Sequence, residues 1–169
     1  MSLQWCMPSS IRQVSGVARQ VAALPWRRDC TGLKVLLVTS RTNRRWMLPK
    51  GWPMSERSDP EAAAQEAYEE AGVIGSVAEQ PIGSYRYIKE YIGKPSIAAH
   101  ALVYSLQVRE ILDNWPEQGQ RERGWFTLEE ARHAVEVLDL ARLLSDLGRG
   151  WLPLGATAHA RSHTTRGGS

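Results

Sequence analysis

The sequence has little cysteine and no long apolar run. Its two cysteines, Cys6 and Cys30, lack metal-ligand spacing and cannot build the disulfide framework of a secreted domain, so we expect a reducing, cytoplasmic setting. The longest mostly apolar stretch, residues 97–106, contains His100 and Tyr104. It is far shorter than the roughly 20 residues needed to span a bilayer. We therefore expect no membrane-spanning segment.

A strong excess of one charge is also missing. The net charge of +3 at pH 7 permits an anionic small-molecule partner but lacks the dense basic signature of nucleic-acid-binding domains. A nucleic-acid partner is therefore unlikely on composition. The histidines show no metal-ligand spacing, and His100 is expected to be a core residue because it lies within an apolar strand.

The length of 169 residues suits one domain with a substantial core. We expect a disordered lead-in over residues 1–15, a folded domain over 16–150 and a disordered tail over 151–169. The tail is rich in glycine, serine and threonine, a composition that does not favour a packed core.

The apolar pattern predicts strands, one acidic helix, more strands and then terminal helices. Strands are expected at 17–24, 33–39, 46–48, 73–78, 82–92, 97–108 and 124–126. The run 33–39 is apolar without alternation, which predicts burial on both faces. The acidic helix is expected at 60–71, with Asp59 as N-cap, Pro60 in the first turn and Gly72 as the stop. Short helices follow Thr127. This order predicts an α/β fold in which helices cover both faces of a sheet.

Three glutamates crowd one face of the acidic helix. Glu66, Glu69 and Glu70 are three and four residues apart, a spacing at which like charges destabilise a helix by about 0.2–0.5 kcal/mol per pair. They also lie near the C-terminal end, where the helix dipole favours cations. A solvated acidic face is the simpler alternative. The unfavourable position favours a site for Mg²⁺, or Mn²⁺, because such hard cations prefer oxygen ligands.

These glutamates stand in a motif that resembles the Nudix box, a glycine, a long spacer, Arg-Glu, Glu-Glu and a closing glycine with an aliphatic residue. The residues in register are Gly51, Glu66, Glu69, Glu70, Gly72 and Val73. The flanking Leu-Pro-Lys-Gly and Gly-Trp-Phe stretches look like the branch of diphosphoinositol polyphosphate and dinucleoside polyphosphate hydrolases. The resemblance implies a Nudix-type α/β/α sandwich with a mixed sheet, and metal-dependent hydrolysis of a diphosphate linkage.

The resemblance also implies roles for residues outside the helix. A family glutamate in a later loop often assists as metal ligand or base, and Glu122 is preferred to Glu117 for that role. Lys50 and Gly51 at the start of the box are expected to contact substrate phosphate. The basic loop 41–45 adds two further candidate contacts, Arg44 and Arg45.

Two positions depart from the box. Arg57 stands where the family has a glutamate, so the neighbouring Glu56 becomes the candidate catalytic acid of the loop. Gln65 stands where the family has an arginine that orients a box carboxylate, and an amide cannot supply that charge. One alternative is therefore a catalytically weakened Nudix domain that binds a nucleotide or inositol phosphate. A second, an enzyme acting on RNA 5′ ends, is disfavoured by the modest net charge.

Overall fold

A mixed sheet of seven strands forms the centre of the computed structural model, which describes residues 16–151. The predicted lead-in and the predicted tail beyond Trp151 lie outside the described residues. The strands are β1 (Ala18–Asp29), β2 (Gly32–Thr39), β3 (Trp46–Met47), β4 (Lys50–Gly51), β5 (Val73–Tyr91), β6 (Lys94–Ile111) and β7 (Arg123–Phe126). Their order is β3-β2-β1-β6-β5, while β4 pairs with β1 and β7 pairs with β2. The β1–β6 pairing is parallel and the other strand pairings are antiparallel.

The two central apolar strands bury both of their faces, as the unbroken run 33–39 predicts. Because successive strand residues point to opposite sides, β1 and β2 contribute side chains to two separate hydrophobic clusters, one on each face. One cluster includes Val21, Ala23, Leu36 and Val38, and the other includes Ala22, Leu24, Val35 and Leu37. A sheet buried on both faces requires a covering layer on each side.

One covering layer is the acidic helix α1 (Asp59–Ala71). Its buried alanines, Ala62, Ala63, Ala67 and Ala71, let the helix lie close to the sheet. The predicted N-cap was wrong by one residue. Ser58 is the N-cap and forms a capping box with Glu61, while the Asp59 side chain pairs with Arg19 of β1. The predicted stop is confirmed, because Gly72 adopts the left-handed conformation at φ 63°.

The other layer consists of α2 (Leu128–Ala134) and α3 (Leu138–Gly150). Thr127 and Glu130 form the capping box that the sequence predicts. Ala131, Leu140, Leu144 and Leu147 from these helices pack on the second cluster of the sheet. The α/β/α sandwich with a mixed sheet is therefore confirmed. Within residues 16–151, no helix has the length and apolarity to cross a membrane.

Several strand boundaries differ from the prediction: β1 extends to Asp29 rather than ending at 24, β6 begins at Lys94 rather than 97, and β4 was not expected. The largest difference lies in one region. The two strands expected at 73–78 and 82–92 form the single strand β5, which pairs with β6 along its length. Register shifts on either side of Pro81 accommodate the sequence that looked like a break. The resulting hairpin carries Tyr85, Tyr87 and Lys89 to the same end of the sheet as β4.

Candidate active site

The short strand β4 places two neighbouring residues on opposite faces of the sheet. Gly51 pairs with Val21 and Lys50 pairs with Ala22, so their side-chain directions alternate. Gly51 faces α1, and a Cβ atom there would lie 1.9 Å from Oε1 of Glu66. The Glu66 carboxylate therefore rests on the backbone of Gly51. The box glycine leaves space for the box glutamate.

Glu70 is the most deeply buried of the helix glutamates, with 5% of its surface exposed. Its Oε1 accepts a hydrogen bond from Nη2 of Arg121 at 2.6 Å, and its Oε2 accepts one from the backbone N–H of Lys50 at 3.2 Å. Burial raises the pKa of Glu70 to about 6, against the opposing effects of Arg121 and Lys50. Both carboxylate oxygens are thus held in place.

Glu66 has no such partner. Among the described residues, none donates a hydrogen bond to its carboxylate. Burial raises the pKa of Glu66 to about 7, and nearby carboxylates add to the rise, in the order Glu70, Glu69 and Glu117. Glu69, by contrast, accepts a hydrogen bond from Nε2 of Gln65 at 2.6 Å. The helix face therefore holds an excess of negative charge that is concentrated at Glu66.

Two lysines lie beside these carboxylates and against aromatic rings. Nζ of Lys50 is 5.0 Å from the ring centroid of Tyr87, and Nζ of Lys89 is 4.6 Å from that of Trp52. Burial lowers the pKa of Lys50 to about 8 and also lowers that of Lys89, while Glu70 opposes both shifts. These partly desolvated cations can bind anionic oxygen more strongly than exposed lysines can. The sequence alone allows two interpretations of Lys89, a phosphate contact and a charge on an exposed strand face.

The loop before β7 brings Glu117, rather than Glu122, to the helix carboxylates. Oε2 of Glu117 accepts a hydrogen bond from Nε of Arg121 at 2.5 Å, and its backbone N–H donates to the carbonyl of Glu69 at 3.0 Å. The side chain of Glu122 is exposed, and its backbone pairs with Thr39. The sequence interpretation prefers Glu122 of the two loop acids and does not single out Arg121.

Three other predicted site residues lie apart from this cluster. Glu56 is exposed in the turn before α1 and forms no hydrogen bond or ion pair with the described residues. Arg44 adopts φ 57° and donates to the carbonyl of Gln120 at 3.2 Å. Arg45 pairs with Glu136 at 2.9 Å. Their roles stay predictions.

The donor set fits a hard divalent cation. Within residues 16–151, no three carboxylate, imidazole or thiolate side chains converge as a preformed metal cluster. The helix face nevertheless offers carboxylate oxygens, and one carboxylate, Glu66, has no hydrogen-bond donor and a pKa raised by burial and by like charge. Such oxygen donors suit Mg²⁺ or Mn²⁺ rather than zinc.

Comparison with known proteins gives consistent results. Residues 18–147 match the NUDIX domain family. The chain is 33% identical over 133 residues to Arabidopsis thaliana Nudix hydrolase 18, mitochondrial, covering 74% of this chain and 73% of that protein. It is 32% identical over 166 residues to human diphosphoinositol polyphosphate phosphohydrolase 3-alpha, covering 93% and 95%. The match to Nudix hydrolase 4 of Arabidopsis thaliana spans only 57% of that relative.

The fold also resembles solved structures. The C. elegans Ap4A hydrolase superposes with a TM-score of 0.55 at 19% identity, covering 79% of this chain and 97% of that one. At that identity the likeness concerns the fold alone. The family match extends from β1 through α3 and includes the box helix and the strands that hold it. The chain therefore belongs to the Nudix domain family.

Proposed function

We propose that the chain is a metal-dependent pyrophosphohydrolase that cleaves a diphosphate linkage. The main support is Glu66, a half-buried carboxylate with a raised pKa, no hydrogen-bond donor and three acidic neighbours. Lys89 lowers this pKa but does not offset burial and the three carboxylates, so a bound cation would stabilise the ionised form of Glu66. The relatives named as Nudix hydrolases support phosphoanhydride bonds as the target.

The helix glutamates Glu66, Glu69 and Glu70 would hold Mg²⁺ or Mn²⁺. When bound, the cation supplies neutralisation of diphosphate charge and a more acidic water for attack on phosphorus. Lys50 and Lys89 would bind the phosphate oxygens. Their aromatic neighbours limit access of water, which strengthens such contacts. Because Gly51 has no side chain, the Glu66 carboxylate can occupy the space beside it.

The remaining site residues lie outside the helix face and the lysine pair. Arg44 and Arg45 in the loop 41–45 would contact the outer phosphates of a highly charged substrate. Glu56 would act as a loop acid after movement of its turn, and Glu122 would act as an additional metal ligand. Glu117 is the better placed of the two acids in the loop before β7, because it already lies against α1.

The substrate is proposed to be a nucleoside or dinucleoside polyphosphate, or a diphosphoinositol polyphosphate. One human relative is named for the latter class. The aromatic surroundings of Lys89 favour the former, since the rings of Trp52 and Tyr91 lie 4.6 and 5.7 Å from its Nζ. Such rings can stack on a base, whereas an inositol ring presents only hydroxyl and phosphate groups.

The test is a turnover assay on both substrate classes, with and without Mg²⁺. We expect hydrolysis that requires the cation. Glu66→Gln should lower turnover by at least about 100-fold, the upper end of the effect of losing an outer-shell partner of a metal. Glu79→Gln, which changes an exposed glutamate of β5, is the matched control and should retain wild-type turnover. Metal-independent hydrolysis, or an active Glu66→Gln variant, would contradict the proposal.

The alternative function is binding without efficient turnover. It is favoured by Glu56, which the structure leaves exposed beside Arg57, and by Gln65, which is neutral. Thermal stability measured with the same compounds separates the two functions. Stabilisation by a diphosphate that is never hydrolysed, with or without Mg²⁺, would support the binding module and contradict the enzyme.

A cytoplasmic location is proposed on cysteine usage alone. Several Arabidopsis thaliana relatives are named as mitochondrial, which makes the mitochondrion the competing location. Fluorescence of a C-terminally tagged chain expressed in its native cells distinguishes them. Co-localisation with a mitochondrial marker would contradict the proposal.

A further inference from the structure

We infer that Arg121 is a positioning residue of the proposed metal site. In this inference, which rests on the proposed function, Arg121 orients Glu70 and Glu117 for cation binding. This role differs from that of a substrate contact, because the guanidinium group of Arg121 is directed at carboxylates of the protein. The burial of Arg121 and its three hydrogen-bond partners support this role.

Arg121 is buried and all three guanidinium nitrogens are engaged. Its side chain is 6% exposed. Nη2 donates to Glu70 at 2.6 Å, Nε donates to Glu117 at 2.5 Å, and Nη1 donates to the carbonyl of Thr39 at 3.0 Å. These partners belong to α1, to the loop before β7 and to β2. The planar guanidinium group therefore fixes three segments relative to one another.

Gln65 holds a different carboxylate. Its amide donates to Glu69, one turn further along α1, and carries no charge. Glu70 depends instead on Arg121 for one oxygen and on the backbone of Lys50 for the other. The two contacts together set the direction of the Glu70 carboxylate.

Removal of Arg121 would leave Glu70 and Glu117 close together without their shared cation. Lys50 and Lys89 donate no side-chain hydrogen bond to these carboxylates, since Nζ of Lys50 lies over Tyr87 and Nζ of Lys89 lies over Trp52. Arg41 reaches Glu117 only as a more exposed ion pair at 3.9 Å. A ligand carboxylate that loses its outer partner binds metal more weakly, typically by about 10–100-fold. Arg121 therefore acts through Glu70 and Glu117.

The experiment measures Mn²⁺ binding without substrate, by the electron paramagnetic resonance signal of free Mn²⁺, and kcat and KM on the best diphosphate substrate. Arg121→Met should weaken Mn²⁺ binding by about 10–100-fold. Arg121→Lys keeps the charge but loses the paired N–H donors of the guanidinium group. Its Mn²⁺ affinity should therefore lie between those of the wild type and Arg121→Met. In both variants kcat should fall while KM stays within about twofold, because the substrate contacts are intact. The lysine variant maintains the test if the methionine variant fails to fold.

Arg123→Met is the matched control. Arg123 lies two residues away, and its guanidinium group donates to the carbonyls of Ala71, Gly72 and Leu112 rather than to carboxylates. It should lower the melting temperature and leave Mn²⁺ affinity within about twofold. Unchanged or tighter Mn²⁺ binding by folded Arg121 variants would overturn the inference while the proposed metal site stands. Absence of Mn²⁺ binding by the wild-type protein would overturn both.

Discussion

The contact between Glu66 and Gly51 leaves no room for a side chain at position 51. A methyl group there would lie 1.9 Å from the carboxylate oxygen. Because the end of a glutamate side chain is flexible, we expect Gly51→Ala to move the carboxylate and leave the strand in place. Mn²⁺ affinity should fall at least about tenfold, as it does when metal ligands are misoriented. The free energy of unfolding should change by less than about 1 kcal/mol. Mn²⁺ titration and urea denaturation measure the two quantities.

Gly148→Ala is the matched control for that substitution. Gly148 lies within α3, where a Cβ atom would be 3.9 Å from Leu128. Replacement of a helical glycine by alanine should stabilise the protein by about 0.5–1 kcal/mol. Mn²⁺ affinity should not change. If Gly51→Ala retained wild-type Mn²⁺ affinity, metal binding would not require the observed position of the Glu66 carboxylate.

The raised pKa of Glu66 predicts a pH dependence in the metal-free protein. The folded pKa is about 7 and the ordinary value is 4.5, so the folded state holds its proton more tightly. The contribution to stability is therefore complete below about pH 4.5 and is lost as the pH rises towards 7. Glu70, with a pKa near 6, contributes in the same direction. With the metal chelated, stability should fall between these pH values.

Glu66→Gln removes the larger part of that dependence. At pH 8 the variant should be more stable than the metal-free wild type by about 1–2 kcal/mol, after allowance for solvent screening of a part-exposed carboxylate. At pH 4 the two proteins should be equally stable. Urea denaturation in the presence of a chelator checks both values. A pH-independent difference would show that Glu66 is not the titrating group.

At the residue scale, local spacing predicted part of the site. The three- and four-residue intervals were enough to place Glu66, Glu69 and Glu70 on one helix face, because helical geometry is local. The partnership of Arg121 with Glu70 spans 51 positions and depends on how β7 pairs with β2. No local pattern encodes such a contact. The same limit made Glu122 the preferred loop acid, although Glu117 is the one beside α1.

At the scale of elements, the two ends of α1 are stabilised differently. The N-terminal end carries its own capping box, in which the Ser58 hydroxyl accepts a hydrogen bond from the N–H of Glu61. The C-terminal end has no basic residue in its last turn. Arg123 of β7 donates to the carbonyls of Ala71 and Gly72 instead, and so brings a cation to the negative end of the helix dipole.

Ser58→Ala should therefore destabilise the protein by about 1 kcal/mol, the usual cost of losing an N-cap side chain. The matched control is Ser55→Ala, in the exposed turn before the helix. It should change the free energy of unfolding by less than about 0.5 kcal/mol. Urea denaturation compares the two variants. Equal effects would mean that the Ser58 hydroxyl does not cap α1.

The boundaries of the other elements show why sequence reasoning fails at junctions. Asp59 is a good N-cap residue, but its side chain pairs with Arg19 across the sheet, and Ser58 caps the helix. The sequence near Pro81 looked like the end of one strand, yet β5 continues because it pairs with β6 on both sides of the irregularity. In both cases a tertiary contact outweighs a local preference.

At the scale of the whole molecule, the sandwich follows from the apolar pattern. Strand β2 is apolar at consecutive positions, so both faces of the sheet need cover, and the alanine-rich helix and the terminal helices provide it. The parallel pairing of β1 with β6 could not be read in the same way. Apolar strands can pair in either direction, and the choice depends on connections that the pattern does not reveal.

That parallel pairing joins the two halves of the chain. Its register sets Ala18 beside Ala99 and Trp26 beside Gln107. The first strand therefore gains this neighbour only after most of the domain has been synthesised. The hairpin of β1 and β2 can form early, but α1 packs on a surface that includes Tyr104 and Leu106 of β6. During synthesis on the ribosome, the box helix therefore emerges after β1 and β2 but before the part of its support that β5 and β6 provide.

Stalled nascent chains test this order of events. When residue 93 is the last one outside the exit tunnel, α1 should still be cleaved by protease. When residue 111 has emerged, β6 is complete and protection should appear. Protection at the shorter length would show that α1 docks without β6. Because the box helix packs partly on β6, its protection from protease depends on translation of the β6 segment. A chain that ends before β6 would expose its acidic helix to proteases.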